Sequence, residues 1–234
     1  MDFFGSLGQS LYDDFIYRDR YKYLLEGLGN TVIVTVAALA IGLLLGILSS
    51  IVRVSYKNGN RNPVMKVLNF IVGLYITIIR GTPTVVQLLI MYFIILPSAK
   101  PLLVAMLAFG INSGAYVAEV FRSGIQSVDA GQSEAGRSLG LSARQTMIKI
   151  VLPQAVKNVT PAIFNEFITL LKETSVSGYV GIQDLTKGGD IIRSQTYDAF
   201  PPLLTVAAVY LVMTVGLTLI QGVIERRMAR SDRR

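Results

Sequence analysis

The chain has 234 residues, of which 52% are apolar and 16% are charged, and this is too hydrophobic for an ordinary soluble domain. Cysteine and histidine are both absent, which excludes disulfides, thiolate or imidazole metal sites, and the many catalytic sites that use a histidine base. The net charge of +7 does not indicate nucleic-acid binding, because the cations lie between apolar runs and at the C-terminus rather than on one aromatic-rich basic helix.

The N-terminal segment, residues 1–26, combines aromatic and charged side chains. It contains Asp2, Asp13 and Asp14, whereas a cleaved signal peptide has a basic start and a short apolar core. Tyrosines such as Tyr12 and Tyr17 suit the headgroup level of a bilayer. The pattern predicts an uncleaved amphipathic helix that lies on the external surface of the membrane.

The apolar runs that follow are long enough to cross a bilayer. In residues 31–54 there is no charge before Arg53, and about 22 helical residues at 1.5 Å each span about 33 Å. The sequence Arg80-Gly-Thr-Pro83 interrupts the second run, which is therefore either one irregular span or two. We predict an all-α polytopic membrane protein with about five transmembrane helices, at 31–54, 66–96, 101–122, 159–181 and 201–225.

The lysines and arginines of the short loops set the orientation. Residues 53–66 hold four cations, and residues 226–234 hold five arginines, so both segments are expected in the cytoplasm. With five spans, the N-terminus lies outside. We therefore divide the chain into an external segment 1–26, a transmembrane domain 27–225 and a basic cytoplasmic tail 226–234. The longest loop of the domain, 123–158, lies inside.

This cytoplasmic loop has the signals of two short helices. Residues 129–132 and 142–145 have capping-box spacing, in which a side-chain oxygen and an amide satisfy the free N–H groups of a helix start. Gly140 is expected to take a positive φ between the helices, and Pro153 is expected to end the second one. The pattern predicts a compact helix-turn-helix.

The first of these helices has the composition of a docking surface. Ala135, Gly136 and Ser138 are small enough for another protein to approach the backbone, and Glu134 offers one charge. A plain connecting loop with polar residues and turns is the alternative interpretation from composition alone.

Polar side chains also occur inside the predicted spans, where a charge at the bilayer centre costs about 2.5 to 3.5 kcal/mol. Glu166 and Thr169 share one helix face, as do Asn112 and Tyr116, so two polar stripes could line a translocation path. Gln87, one turn beyond Pro83, is a further candidate for contacting a substrate in such a path. The alternative for Glu166 is an ion pair or hydrogen bond that only stabilises the fold. This alternative is stronger for three other charged residues of the spans, Glu119, Lys172 and Glu173.

The spacing in the cytoplasmic loop resembles a known motif. Glu134-Ala135-Gly136, then Gly140, then Ile150-x-Leu152-Pro153 resemble the EAA motif, E-A-A-x3-G-x9-I-x-L-P, of the membrane subunits of ABC importers. The single departure is Gly136, where the motif has alanine. Residues 80–83, 114–135 and 170–186 further resemble the polar amino acid permease branch, and the likeness covers about residues 25–225.

The resemblance implies a type I ABC importer fold, in which a coupling helix on the cytoplasmic loop sits in a cleft of an ATPase subunit. It implies as partners two ABC ATPase subunits that bind ATP and Mg, an extracytoplasmic solute-binding protein, and a second permease copy, identical or a close paralogue. The expected location is the bacterial inner membrane. The residues expected to couple to the ATPase are Glu134, Ala135, Gly136, Ser138, Leu139 and Gly140.

The sequence also shows what this chain lacks. No G-x4-G-K-[ST] occurs, so no Walker A loop can hold phosphates, and we expect no cofactor, metal or catalytic residue in the chain itself. The Gly188-Gly189 pair lacks the Lys and the Ser or Thr of such a loop, and we expect it to form a flexible external turn. We favour the permease subunit of an ATP-driven importer for polar, and specifically cationic, amino acids. The alternatives are an ion-coupled secondary carrier, which would usually show internal repeats, and an intramembrane enzyme. The expected substrate path uses Asn112, Tyr116, Glu166, Thr169 and Gln87.

Overall fold

The computed structural model describes residues 8–59 and 61–231, and every element assigned within them is helical. Short π or 3-10 turns join several of the α-helices. The α-helices are α1 (Tyr21–Lys57), α2 (Pro63–Gly81), α3 (Thr84–Ile90), α4 (Pro101–Gln126), α5 (Ala130–Ser138), α6 (Ala143–Thr146), α7 (Leu152–Glu173), α8 (Leu185–Thr196) and α9 (Phe200–Ser231).

Four of these helices are long and apolar enough to cross a membrane, namely α1, α2, α4 and the Phe200–Met228 part of α9. At 1.5 Å per residue, the 37 residues of α1 extend about 55 Å, which exceeds the hydrocarbon thickness. The predicted span 159–181 falls mainly on α7, which has 22 residues but a more polar composition. The predicted span 66–96 is broken at Thr82, whose extended backbone separates α2 from α3.

The external segment differs from its prediction. Residues 1–7 lie outside the described part of the chain, and residues 12–19 form a π turn followed by a 3-10 turn. Arg18 and Asp19 both have positive φ, which a continuous right-handed helix excludes. The prediction of one amphipathic helix over 1–26 is therefore wrong for the described residues: residues 8–11 are helical, but the chain turns at Arg18 and Asp19 before α1 begins at Tyr21.

The chain forms two compact units, each built from separated segments. The first unit comprises the chain up to Ala38, Thr84–Phe109 and Ile168–Leu217. The second unit comprises Leu39–Pro83, Gly110–Phe167 and the chain from Thr218 onwards. The cytoplasmic loop therefore belongs to the second unit, whereas α8 belongs to the first.

Close helix packing in the second unit depends on glycine. A Cβ at Gly42 of α1 would lie 2.8 Å from Ser113 Oγ of α4, and a Cβ at Gly46 would collide with Val117. On the facing side, a Cβ at Gly114 would lie 2.9 Å from Leu45 Cβ. Small residues four apart let two spans approach closely, so α1 and α4 meet through a small-residue seam. The four-residue spacing of Gly110, Gly114 and Ala118 in the sequence predicts close helix packing on α4, and Gly42 and Gly46 of α1 have the same spacing.

The first unit is held together by contacts between the start of α1 and the segment around α8. A Cβ at Gly27 would collide with the Asp184 carbonyl, and a Cβ at Gly188 would lie 2.5 Å from the Tyr23 carbonyl oxygen. Thr31 Oγ1 accepts a hydrogen bond from the Leu185 amide at 3.1 Å. Gly188 is thus a buried helical residue, and the expectation that the Gly188-Gly189 pair forms a flexible external turn is wrong.

Candidate coupling and translocation sites

The loop between α4 and α7 folds into a compact knob, which we define as residues 129–152. It begins at Asp129, whose side chain accepts a hydrogen bond from the Gly131 amide at 2.7 Å and caps α5. The predicted capping box is therefore incomplete: Asp129 accepts from the Gly131 amide, and the side chain of Gln132 does not accept from the Asp129 amide in return. A carboxylate at a helix start is still favourable, because it faces the unpaired N–H groups there.

The turn after α5 matches its prediction closely. Gly140 has a φ of +82°, and the Leu141 amide donates to the Gly136 carbonyl at 3.2 Å, which closes the helix end. At the start of α6, Ser142 and Gln145 form a complete capping box: the Gln145 amide donates to Ser142 Oγ at 3.3 Å, and the Ser142 amide donates to Gln145 Oε1 at 2.9 Å. The chain direction between the two helices is thereby fixed.

The second helix of the knob does not stop at Pro153. It continues through a π turn, Met147–Val151, into α7, which begins at Leu152. Pro153 lies just after this π turn, and the helix passes the proline without ending there. The prediction that Pro153 ends the helix is therefore wrong, and the knob is directly continuous with α7.

Gly136 serves the interior of the knob rather than its surface. It is buried, and a Cβ there would lie 2.8 Å from both Ile150 Cδ1 and Thr146 Cγ2. The small side chain therefore lets α5 pack against the helix that follows it. The interpretation of Gly136 as a place where a partner approaches the backbone is wrong.

The outward side of α5 and the residues just after its C-terminal end are exposed. Leu139, which follows the last residue of α5, is 81% exposed. Glu134, Ala135, Ser138 and Gly140 are exposed as well. This side of the knob therefore presents a large apolar side chain, the Glu134 carboxylate and small residues.

Three of the predicted substrate residues come from the second unit. Asn112 is 2% exposed, and the neighbouring Ser113 hydroxyl donates to Glu166 Oε1 at 2.8 Å, which joins α4 to α7. The Arg80 guanidinium lies 5.3 Å from the centre of the Tyr116 ring, within the range of a cation–π contact. A polar cluster thus lies at mid-helix on α4. The sequence interpretation missed Ser113, although it directly follows Asn112.

The other two predicted residues, Gln87 and Thr169, belong to the first unit. Gln87 is half-buried on α3, and Thr169 is exposed on α7. The structure therefore does not assemble all five residues within one compact unit. The second unit holds Asn112, Tyr116 and Glu166, and the first unit holds Gln87 and Thr169.

The remaining charged residues of the predicted spans are Glu119, Lys172 and Glu173, and they differ in their surroundings. Arg122 Nε donates to Glu119 Oε2 at 2.8 Å, within one turn of α4, as the structural interpretation of Glu119 predicted. Lys172 is exposed and Glu173 is half-buried. Within residues 8–59 and 61–231, acidic residues nowhere cluster in a way that could hold a metal ion.

The comparisons with known proteins fit this arrangement. Residues 42–230 match the family described as the binding-protein-dependent transport system inner membrane component. The chain belongs to this family. It is 36% identical to the putative glutamine transport system permease protein GlnP of Rickettsia prowazekii over 91% of this chain and 95% of that protein. It is also 36% identical to the arginine transport system permease protein ArtQ of Bacillus subtilis, over 90% and 94% of the two chains.

Solved structures agree with these relatives. An amino acid ABC transporter crystallised with histidines aligns over 97% of this chain and 99% of that chain, with a TM-score of 0.81 and 36% identity. An inward-facing MetNI methionine ABC transporter aligns over 88% and 95% with a TM-score of 0.75 at 21% identity, which shows the fold alone. The type I ABC importer fold and the family predicted from the EAA-like loop are confirmed. The chain is a multi-pass translocation subunit of an ABC transporter.

Proposed function

We propose that this permease subunit belongs to an ATP-driven importer for polar, and specifically cationic, amino acids. Its share of the work is geometric: it forms a path through the membrane and converts movement of a partner into opening and closing of that path. Two ABC ATPase subunits bind ATP and Mg and hydrolyse the nucleotide, and the chain itself holds no cofactor. A solute-binding protein delivers the amino acid from outside.

The exposed tip of the knob carries this proposal. Leu139 and Glu134 project from a short helix whose two ends are fixed by caps and whose interior is closed by Gly136. Because the knob continues without a break into α7, a push on α5 is transmitted along the helix that carries Glu166. The knob is therefore a rigid lever between an ATPase and the translocation path.

The polar cluster on α4 and α7 supports the substrate class. Glu166 offers a carboxylate to the cationic side chain of arginine, lysine or histidine, while Arg80 beside Tyr116 can receive the substrate carboxylate. The names of the relatives include an arginine and a glutamine permease, and glutamine remains the neutral alternative. In this proposal, Asn112 of the second unit supplies a further hydrogen bond, and the substrate contacts of Thr169 and Gln87 stay predictions from the sequence.

We further propose that two permease copies, identical or closely paralogous, pair in the bacterial inner membrane. The N-terminus lies outside and the C-terminus in the cytoplasm, because the segments with the most lysine and arginine, 53–66 and 226–234, are then both cytoplasmic. The knob then lies on the same side as the ATPase subunits.

The coupling role is tested by ATPase activity in proteoliposomes, with wild type compared to Glu134→Arg and with or without binding protein and arginine. We expect arginine-loaded binding protein to stimulate the wild-type complex and the substitution to abolish the stimulation while the complex still assembles. Lys149→Gln, an exposed change on the other helix of the knob, is the control. If uptake instead follows a sodium or proton gradient and no ATPase associates, the chain acts as a secondary carrier.

The substrate class is tested by uptake of radiolabelled arginine and glutamine through Glu166→Gln. We expect arginine uptake to fall at least tenfold more than glutamine uptake, since about 1.4 kcal/mol of charge-assisted binding corresponds to a factor of ten. Asn165→Ala changes the adjacent exposed residue and serves as the control. Equal effects on the two amino acids would contradict cationic specificity.

A further inference from the structure

The second unit contains a cleft that the transport cycle proposed above does not use. It has a volume of about 860 Å³ and opens where α1 and α4 end, beside the knob. Arg53 and Lys57 of α1, Arg61 of the following loop and Arg122 of α4 line it. No acidic residue is among the residues that line the cleft.

The cations of this cleft are largely uncompensated. Within the described part of the chain, only Arg122 among the four contacts a carboxylate, that of Glu119. Arg53 Nη1 donates to the neutral Asn69 side chain at 3.2 Å, and Arg61 lies 5.9 Å from the centre of the Tyr56 ring. Like charges held around one cavity repel each other, so an anion bound between them would be strongly attracted.

Neutral groups in the cleft add donors and a favourable dipole. Ala130 and Ser133, in the first turn of α5, line the cleft, so the amino end of that nine-residue helix adjoins the cavity. Unpaired N–H groups and the helix dipole favour negative charge at such an end, although the Asp129 cap offsets part of this. Arginine guanidinium groups also match phosphate oxygens in geometry.

We propose that this cleft binds a phosphate group, and that the group is the headgroup phosphate of an anionic phospholipid of the cytoplasmic leaflet or a soluble phosphate compound. The bound phosphate bridges Arg53 and Lys57 at the end of α1 to Arg122 at the end of α4, next to the first turn of α5. Its occupancy therefore stiffens the base of the knob. A basic pocket at the cytoplasmic ends of spans is a typical environment for anionic lipid headgroups.

The site is tested by native mass spectrometry of the permease, which is purified in detergent with its ATPase subunits. The complex is titrated with dioleoylphosphatidylglycerol or, in a separate experiment, with dioleoylphosphatidylcholine. We expect one tightly retained phosphatidylglycerol per permease chain and no retained phosphatidylcholine. For the double variant Arg53→Gln/Lys57→Gln, affinity for phosphatidylglycerol should fall about 25-fold, since each cation near an anionic group contributes about fivefold. Arg53→Lys/Lys57→Arg keeps both charges and should keep the lipid, which separates loss of charge from misfolding.

The matched control is Arg226→Gln/Arg227→Gln, which removes two cations near the C-terminal end of α9. We expect it to leave the retained lipid in place, because diffuse surface attraction does not survive dilution in detergent. Equal loss in both double variants, or no preference for phosphatidylglycerol, would overturn the proposal. Competition by millimolar inorganic phosphate identifies the source: displacement of the lipid supports a soluble phosphate ligand, and persistence supports the lipid headgroup.

Discussion

The knob and the segment around α8 are both short, helical and capped by aspartate, yet they are held in place by different kinds of contact. In the knob, Gly136 packs against Thr146 and Ile150, which are 10 and 14 residues away in the sequence (146 − 136 and 150 − 136). Around α8, the Leu185 amide donates to Thr31 Oγ1 across a separation of 154 residues. The knob is a local module, whereas the α8 segment is fixed by residues that are distant in the chain.

The difference has consequences for function. A local module can tolerate new residues on its surface without loss of fold, so a docking surface can vary with its partner. A segment that packs backbone against backbone at Gly27 and Gly188 has no room for side chains and cannot move independently of α1. Movement is therefore expected at the knob, and rigidity around α8.

The largest expected effect tests the rigid segment. Gly188→Ala adds a Cβ 2.5 Å from the Tyr23 carbonyl oxygen, which is backbone and cannot rotate away. We expect the free energy of unfolding to fall by about 3 kcal/mol, because overpacking of a tight contact forces the backbone to shift. Thermal unfolding in detergent measures this. The control is Gly29→Ala on α1, where an added Cβ has open space, and this change should be neutral or slightly stabilising. Equal losses of unfolding free energy in the two variants would contradict the close contact at Gly188.

The next effect tests the surface of the knob. Leu139→Ser removes an apolar side chain that is 81% exposed, so the melting temperature should not change. We expect substrate-stimulated ATPase activity to fall about tenfold, the equivalent of about 1.4 kcal/mol of lost docking energy. A protein with unchanged stimulation would indicate that the tip does not contact the ATPase.

These two positions show how far the sequence alone could go. The capping signals, the positive φ at Gly140 and the EAA-like spacing all lie within about 25 residues, so the knob and its family could be predicted. The local sequence at Gly188 indicates a turn. Its burial in a helix could not be predicted, because that burial depends on Tyr23, more than 150 residues earlier. The inward role of Gly136 and the hydrogen bond from Ser113 to Glu166 were missed for the same reason: each depends on which helix packs opposite.

A smaller effect concerns the capping box of α6. Ser142→Ala removes the hydroxyl that accepts from the Gln145 amide, which typically costs about 1 kcal/mol. Since α6 is part of a local module, we expect faster hydrogen–deuterium exchange confined to residues 143–151. Exchange that rises equally around α8 would show that the knob is not an independent unit of structure.

The smallest effect is electrostatic and lies on α8. Lys187 and Arg193 both donate to Asp190 and hold the pKa of that carboxyl below its usual value. A lowered pKa stabilises the folded state above the ordinary value of about 3.8, and the contribution disappears as the pH falls through the lowered pKa. With the side chain 36% exposed, we expect only a few tenths of a kcal/mol. The melting temperatures of wild type and Asp190→Asn should differ slightly at pH 7 and converge near pH 3; a difference that widens in acid would contradict the pairing.

The central claim is that the exposed side of α5 docks on the ATPase, and the absence of cysteine from the chain allows a direct test. Ser138→Cys places a single thiol on that exposed surface, and Ser194→Cys places one on the exposed surface of α8. With a short thiol-reactive photo-crosslinker on the purified transporter, we predict that the first variant links to the ATPase subunit and the second does not. Crosslinking of both variants, or of neither, would contradict the assignment of the knob as the coupling element.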